Sequence, residues 1–203
     1  MAAGEWVSGS SSEAEAGARG PETRSGDPET RARQICLRLL TAEPRTRAQL
    51  AQALRRRGVP ADAAEAVLSR FADAGLIDDA SFARAWVESR HHSRGLSRRS
   101  LSAELRRRGV DNEEIREAVD TLDPEQEAAT ARRLVEQKLA STRGQSPEAR
   151  ARRTASLLAR KGYPPGLAFR LIREVMQQEG AADVIDLDAE PYIAPEDEAP
   201  DYE

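Results

Sequence analysis

Apolar residues recur at the spacing of an amphipathic α-helix in three successive stretches of the chain. In each stretch they follow an i, i+3, i+4, i+7 pattern, which places four side chains on one stripe of a helix. They are Ala64, Val67, Leu68 and Phe71, then Ile115, Ala118, Val119 and Leu122, then Ala168, Leu171, Ile172 and Val175. Because the stretches are offset by 51 and 53 residues, the pattern predicts one helix repeated three times.

A basic motif precedes each apolar stripe at the same offsets. It reads Leu-Arg-Arg-Arg-Gly-Val at 54–59 and at 105–110, and Leu-Ala-Arg-Lys-Gly-Tyr at 158–163. The glycines of these motifs, Gly58, Gly109 and Gly162, suit the left-handed residue that follows a helix. Since motif and stripe repeat together, we predict a tandem array whose units cannot each bury an apolar face alone.

A further helix is predicted before each of these pairs, over Arg31–Glu43, Asp79–Arg94 and Pro124–Thr142. No stretch has the alternating pattern and β-branched enrichment of a strand. The predicted fold is therefore all-α, with three tandem three-helix units in an elongated array whose curvature is left open. The predicted boundaries are a disordered acidic leader at 1–30, units at 31–75, 76–122 and 123–180, and a disordered acidic tail at 181–203.

The overall net charge of −4 conceals three regions of opposite charge. Residues 1–30 carry a net −4, residues 31–180 a net +9 from 29 basic and 20 acidic residues, and residues 181–203 a net −9. The two acidic ends are too poor in apolar residues to fold alone. A basic body predicts an anionic partner, with nucleic acid first. The tail either aids solubility, which we favour slightly, or folds back on the basic body and competes with the partner.

We call the three basic motifs with their glycines the basic corners, and the helix that leads into each of them the middle helix of its unit. The candidate binding residues are the basic side chains of the corners and those at the start of the second middle helix. They are Arg55, Arg56, Arg57, Arg98, Arg99, Arg106, Arg107, Arg108, Arg160 and Lys161. For any single arginine in 55–57 or 106–108, capping of a helix C-terminus and solvation explain the pattern as well as binding does. Three consecutive arginines also fan over roughly 200°, so they cannot all face one ligand. Their repetition at three corners favours binding for the group.

The sequence contains no arrangement typical of catalysis. There is no Ser/His/Asp or Cys/His set, no Gly-rich phosphate loop and no zinc spacing, so we expect no enzyme, cofactor or metal. Asp78 and Asp79 are interpreted as the N-cap and first turn of a helix. His91 and His92 diverge by about 100° on a helix and are expected to be solvated.

The remaining signals indicate an ordinary soluble helical protein. Cys36 is expected to be a buried, inert thiol, as in a reducing compartment. Phe82 and Trp86 are expected to be core residues, with a base-stacking platform as the less favoured interpretation. Without a long apolar run or a signal peptide, we expect a cytoplasmic protein with no membrane contact. We also expect it to be a monomer.

A longer motif resembles a known family. Gly75-Leu76-Ile77-Asp78-Asp79, followed by Phe82-Ala83 and Trp86, is similar to the signature of the RecX family. The similarity continues through Arg94-Gly95-Leu96-Ser97 and Glu104-Leu105 to Arg108-Gly109-Val110, and it extends over about residues 31–180. Lys161-Gly162-Tyr163 also fits.

The resemblance implies both a fold and a function. It implies tandem three-helix units and a non-catalytic regulator of the recombinase RecA in DNA repair, recombination and the SOS response. Such a protein binds the RecA–DNA filament, limits its extension and lowers strand exchange, ATP hydrolysis and co-protease activity. The partners it implies are the RecA filament and single-stranded or duplex DNA, met by the basic face.

Two other classes stay open from the residues alone. A helix-turn-helix transcription factor is also basic and helical, although it normally has one recognition unit and often a dimerisation element. A helical scaffold that binds an acidic protein is the second. The sequence leaves open whether the protein caps filament ends or inserts along them, the stoichiometry, and which basic residues contact DNA or RecA.

Overall fold

The computed structural model of the protein describes residues 27–180. The predicted tail, and the leader apart from its last residues, lie outside this range. The described part forms nine α-helices and no strand. They are α1 Pro28–Ala42, α2 Arg47–Arg56, α3 Ala61–Asp73, α4 Asp79–Arg94, α5 Arg98–Arg107, α6 Asn112–Asp120, α7 Pro124–Ala140, α8 Pro147–Arg160 and α9 Pro165–Gln178.

The first helix begins before its predicted start at Arg31. The Asp27 side chain accepts a hydrogen bond from the Thr30 N–H at 3.2 Å, and Pro28 follows it as the first helical residue. Both residue types favour a helix start, because the first N–H groups of a helix lack partners within it. Residues 28–30 therefore belong to α1 and not to the leader.

The helices pack in consecutive groups of three, as predicted. Helices α1–α3, α4–α6 and α7–α9 contact one another within each group. Each group has its own apolar core, and all twelve residues of the three predicted stripes are buried there. The predicted unit limits fall in the links between α3 and α4 and between α6 and α7.

Successive units meet through hydrogen bonds at helix ends. At the first junction, the Thr46 hydroxyl donates to the Arg108 carbonyl at 2.6 Å, and the Arg47 N–H donates to Asp79 Oδ1 at 2.9 Å. At the second junction, the Ser97 N–H donates to the Lys161 carbonyl at 2.9 Å. There the Arg98 N–H also donates to Glu127 Oε1 at 2.8 Å. The N-terminus of the middle helix of one unit (α2 or α5) thus contacts the glycine corner of the next unit, which is the turn that follows α5 or α8.

The glycine corners allow this close approach. Gly109 has φ +77°, and a Cβ placed on it would lie 2.3 Å from Ala48 Cβ. Gly162 has φ +83°, and its Cβ would lie 2.1 Å from Ser100 Oγ. Any side chain at either corner would strain the backbone and also push the neighbouring unit away.

The middle helices consequently follow one another head to tail. The corner after α8 meets the start of α5, and the corner after α5 meets the start of α2. A ten-residue helix such as α2 or α5 is about 15 Å long. Neighbouring basic corners are therefore separated by roughly one helix length along the array.

His91 belongs to the second junction and is not solvated as expected. Its Nδ1 lies 2.9 Å from the Leu96 carbonyl oxygen, and its Nε2 lies 3.0 Å from Thr130 Oγ1 in the third unit. A carbonyl only accepts, so Nδ1 carries the proton. Thr130 is 39 residues away in sequence, which is why local spacing did not reveal this contact. His92 is exposed, as predicted.

Candidate functional site

A groove of about 400 Å³ runs between α2 and the second basic corner. On the α2 side, Ala48, Ala51, Gln52 and Arg55 line it, and their spacing places them on one helix face. The opposite wall is the end of α5 and its glycine corner. The complete lining is Ala48, Gln49, Ala51, Gln52, Arg55, Arg106, Arg107, Arg108 and Gly109.

Three of the arginines in this groove are exposed. Within residues 27–180, Arg55, Arg106 and Arg107 form no ion pair. Arg106 makes only a weak hydrogen bond, with its Nε 3.3 Å from Asn112 Oδ1. The floor is small and uncharged, since Ala48 and Ala51 leave room for a ligand group. The groove can therefore hold an anion against two or three guanidinium groups.

Arg108, the fourth arginine, is fixed in place. Its guanidinium carbon lies 3.6 Å from the centroid of the Trp86 ring, and that of Arg90 lies 4.1 Å from the same centroid. Burial lowers the pKa of the Arg108 guanidinium. Because its carbonyl also accepts from Thr46, this residue holds the junction together, and we assign it a structural role.

Phe82 and Trp86 pack against the core of the second unit, as predicted. Their rings are stacked with centroids 5.7 Å apart, and the Trp86 Nε1–H donates to Glu104 Oε2 at 2.8 Å. With cations over the ring and its polar edge satisfied, Trp86 does not present a free platform for a nucleic-acid base.

The other candidate residues divide into two groups. Arg57 donates to the Ala53 carbonyl at 3.1 Å, Arg98 binds the Val119 carbonyl and Asp120, and the Lys161 ammonium binds the Arg94 carbonyl. Their side chains serve the fold. Within the described range, the side chains of the second group are exposed and form no ion pair or hydrogen bond, but they lie outside the groove. They are Arg56, Arg99 and Arg160.

Asp78 and Asp79 both cap helices, but only one of these roles was predicted. Asp78 accepts from the Ser81 N–H at 2.8 Å as the N-cap of α4, as expected. Asp79 lies in the first turn of α4, also as expected, and its side chain in addition accepts from the first N–H of α2 in the preceding unit. It shares a second groove of about 330 Å³ with Arg47 and Glu114. Burial is the main cause that raises the pKa of the Asp79 and Glu114 carboxyls.

The remaining candidate side chain is the Cys36 thiol. Cys36 is fully buried, and burial raises the pKa of its thiol, which fits the predicted inert role. Across residues 27–180 no group of three or more His, Cys, Asp or Glu side chains could hold a metal ion. None of the helices in that range is both long and apolar enough to cross a membrane.

Comparison with known proteins accounts for the three units. Models of the first, second and third three-helix domains of RecX match residues 32–71, 78–119 and 125–172. The chain belongs to the RecX family. A regulatory protein RecX from Thermobifida fusca is 59% identical over 167 residues, covering 81% of this chain and 90% of that protein. Another from Streptomyces coelicolor is 58% identical over 154 residues, covering 76% of this chain and 82% of that protein.

Solved RecX structures share the fold. The crystal structure of RecX from Lactobacillus salivarius superposes with a TM-score of 0.66 at 18% identity, covering 78% of this chain and 99% of that one. A second RecX crystal structure gives a TM-score of 0.64 at 22% identity, covering 73% of this chain and 72% of that one. The three-unit arrangement is thus common to chains of very different sequence.

Proposed function

We propose that this RecX protein is a non-catalytic regulator of RecA, active in DNA repair and recombination in the cytoplasm, that binds the RecA–DNA filament through the arginine-lined groove. The observation that carries the proposal is the convergence on one groove of Arg55, Arg106 and Arg107, which form no ion pair within residues 27–180. The name of its relatives, regulatory protein RecX, supports the regulatory part.

The groove favours DNA phosphate as its ligand. Guanidinium groups bind phosphate oxygens with paired hydrogen bonds, and the affinity comes mostly from released counterions. Arg56, Arg99 and Arg160 add exposed charge along the same series of middle helices. Each contact is weak, but linked sites gain affinity through effective concentration when their geometry lets them engage together.

An elongated array on the filament accounts for inhibition. A bound array occupies surface that a second DNA strand or an added RecA subunit needs, so filament extension and strand exchange fall. ATP hydrolysis and co-protease activity fall with the amount of active filament. This mechanism requires no bond-breaking chemistry from the protein itself.

Decay of RecA ATPase on single-stranded DNA tests the proposal. We expect the wild-type protein to lower the steady-state rate, and the Arg106→Ala/Arg107→Ala variant to need a higher concentration for the same effect. Arg152→Ala/Arg153→Ala is the matched control, because these arginines are also exposed and lie on α8 away from the groove. No effect of the wild-type protein would refute the regulatory function. Equal loss in both variants would refute the groove.

A further inference from the structure

Within residues 27–180 the array has one unfilled corner and one uncovered helix start. Like the other corner glycines, Gly58 has a positive φ (+69°), yet no non-neighbouring atom of those residues lies within 4 Å of the position its Cβ would take. At the opposite end, Ser146 is the N-cap of α8 and is exposed, whereas its counterparts Thr46 and Ser97 are buried. The Gly58 corner corresponds to one side of the internal junctions, and the start of α8 corresponds to the other side.

We propose that a second copy of this protein docks head to tail, with its α8 N-terminus on the Gly58 corner of the first copy. The contact continues the two internal junctions, in which a hydroxyl-capped helix start rests on a glycine corner. Because the two surfaces differ, it is a heterologous contact, which can be repeated from one copy to the next.

Two features make this external junction weaker than the internal ones. The Arg57 carbonyl, equivalent to those of Arg108 and Lys161, already accepts a hydrogen bond from Arg31 at 2.7 Å. Pro147 stands where Arg47 and Arg98 each donate a backbone N–H to the next unit, and proline has no N–H. Docking must displace Arg31 and forgoes one hydrogen bond.

Because the contact between copies is weak, we expect it to form on the filament and not in free solution. Free copies stay monomeric at ordinary concentrations, while copies held side by side on one filament meet at high effective concentration. This step rests on the proposed function, whereas the complementarity of the two ends does not. The expected consequence is cooperative loading along the filament.

Sedimentation velocity of the purified protein tests the contact without RecA. The Arg31→Ala/Pro147→Ala variant frees the carbonyl and restores the N–H, so we expect its mean mass to rise with concentration towards two or more copies. Adding Gly58→Asn must abolish the rise. Adding Gly75→Asn must leave the rise unchanged, since Gly75 also has φ +69° and, among the described residues, no non-neighbouring atom within 4 Å of its Cβ position.

Either of two sedimentation results would overturn the proposal. One is a double variant that stays monomeric up to ~1 mM, the concentration scale of a contact worth only about 4 kcal/mol. The other is an association that Gly58→Asn leaves intact. Circular dichroism on every variant establishes that the helices are still folded.

Binding to RecA on single-stranded DNA then tests the contact where it is proposed to act. We expect a Hill coefficient above one for the wild-type protein and for Gly75→Asn, and a value near one for Gly58→Asn with similar affinity for the first copy. Equal Hill coefficients for all three proteins would contradict cooperative docking. If wild-type protein does not bind the filament, the proposed function fails, and the sedimentation result still decides whether the ends fit.

Discussion

At the scale of single residues, contacts with residues distant in sequence decide what each side chain does. Arg98 and Arg99 are neighbours of identical chemistry, yet the first binds Val119 and Asp120 and the second is exposed. The sequence predicted both as binding residues, because the partners of Arg98 lie 21 and 22 residues away. Local spacing identified the basic corners but not which arginines the fold already uses.

The glycine corners give the first residue-scale prediction. Gly109→Ala should destabilise the protein more than Gly58→Ala. Both variants pay about 1 kcal/mol for a side chain at positive φ. Gly109→Ala must also move Ala48, at a further cost of about 1–3 kcal/mol. Urea unfolding of the two variants measures the difference, and equal losses would show that the corner does not contact α2.

Asp79 gives a prediction about pH. The pKa of its carboxyl is raised in the folded protein, which means that the charged carboxylate opposes folding. Protonation therefore stabilises the folded state at low pH, and this stabilisation is lost as pH rises through the folded pKa. Asp79→Asn keeps an oxygen that accepts from the Arg47 N–H. We expect the variant to be more stable than wild type at pH 7, with the difference shrinking as pH falls towards 4. A variant less stable at pH 7 would show that the negative charge supports the junction.

At the scale of helices, capping residues set boundaries that the sequence predicted well when the cap was recognised. Helix α4 runs over Asp79–Arg94 as predicted, between the Asp78 cap and Gly95 at φ +61°. The start of α1 was placed three residues late because its Asp27–Pro28 cap was assigned to the leader. A capping residue can also contact the next unit, and the sequence around the cap does not predict this contact.

Thr46 tests this double role. Thr46→Val keeps the shape but removes both the bond to the Gln49 N–H and the bond to the Arg108 carbonyl. We expect a loss of about 2 kcal/mol, since one cap is worth about 1 and a buried unsatisfied carbonyl adds about as much. Ser146→Ala removes a cap with no contact to another unit and should cost about half. Thermal unfolding compares them, and a larger loss for Ser146→Ala would contradict the assignment.

At the scale of the whole molecule, three separate cores are joined by polar contacts and by close packing at the glycine corners. The stripes and basic motifs were sufficient to predict three three-helix units, because each core forms within about 50 residues of sequence. The head-to-tail order of the middle helices could not be predicted, because it depends on close packing at Gly109 and Gly162. That order brings Arg55 beside Arg106 and Arg107 and so creates the groove.

The salt dependence of binding to RecA on single-stranded DNA shows whether the arginine-lined groove binds phosphate. The logarithm of the binding constant falls linearly with the logarithm of the salt concentration. If Arg106 and Arg107 each contact a phosphate, this dependence should become shallower by about 1.4 in the Arg106→Ala/Arg107→Ala variant. The Arg152→Ala/Arg153→Ala control should keep the wild-type slope. An unchanged slope in the groove variant, or the same fall in the control, would contradict a phosphate-binding groove.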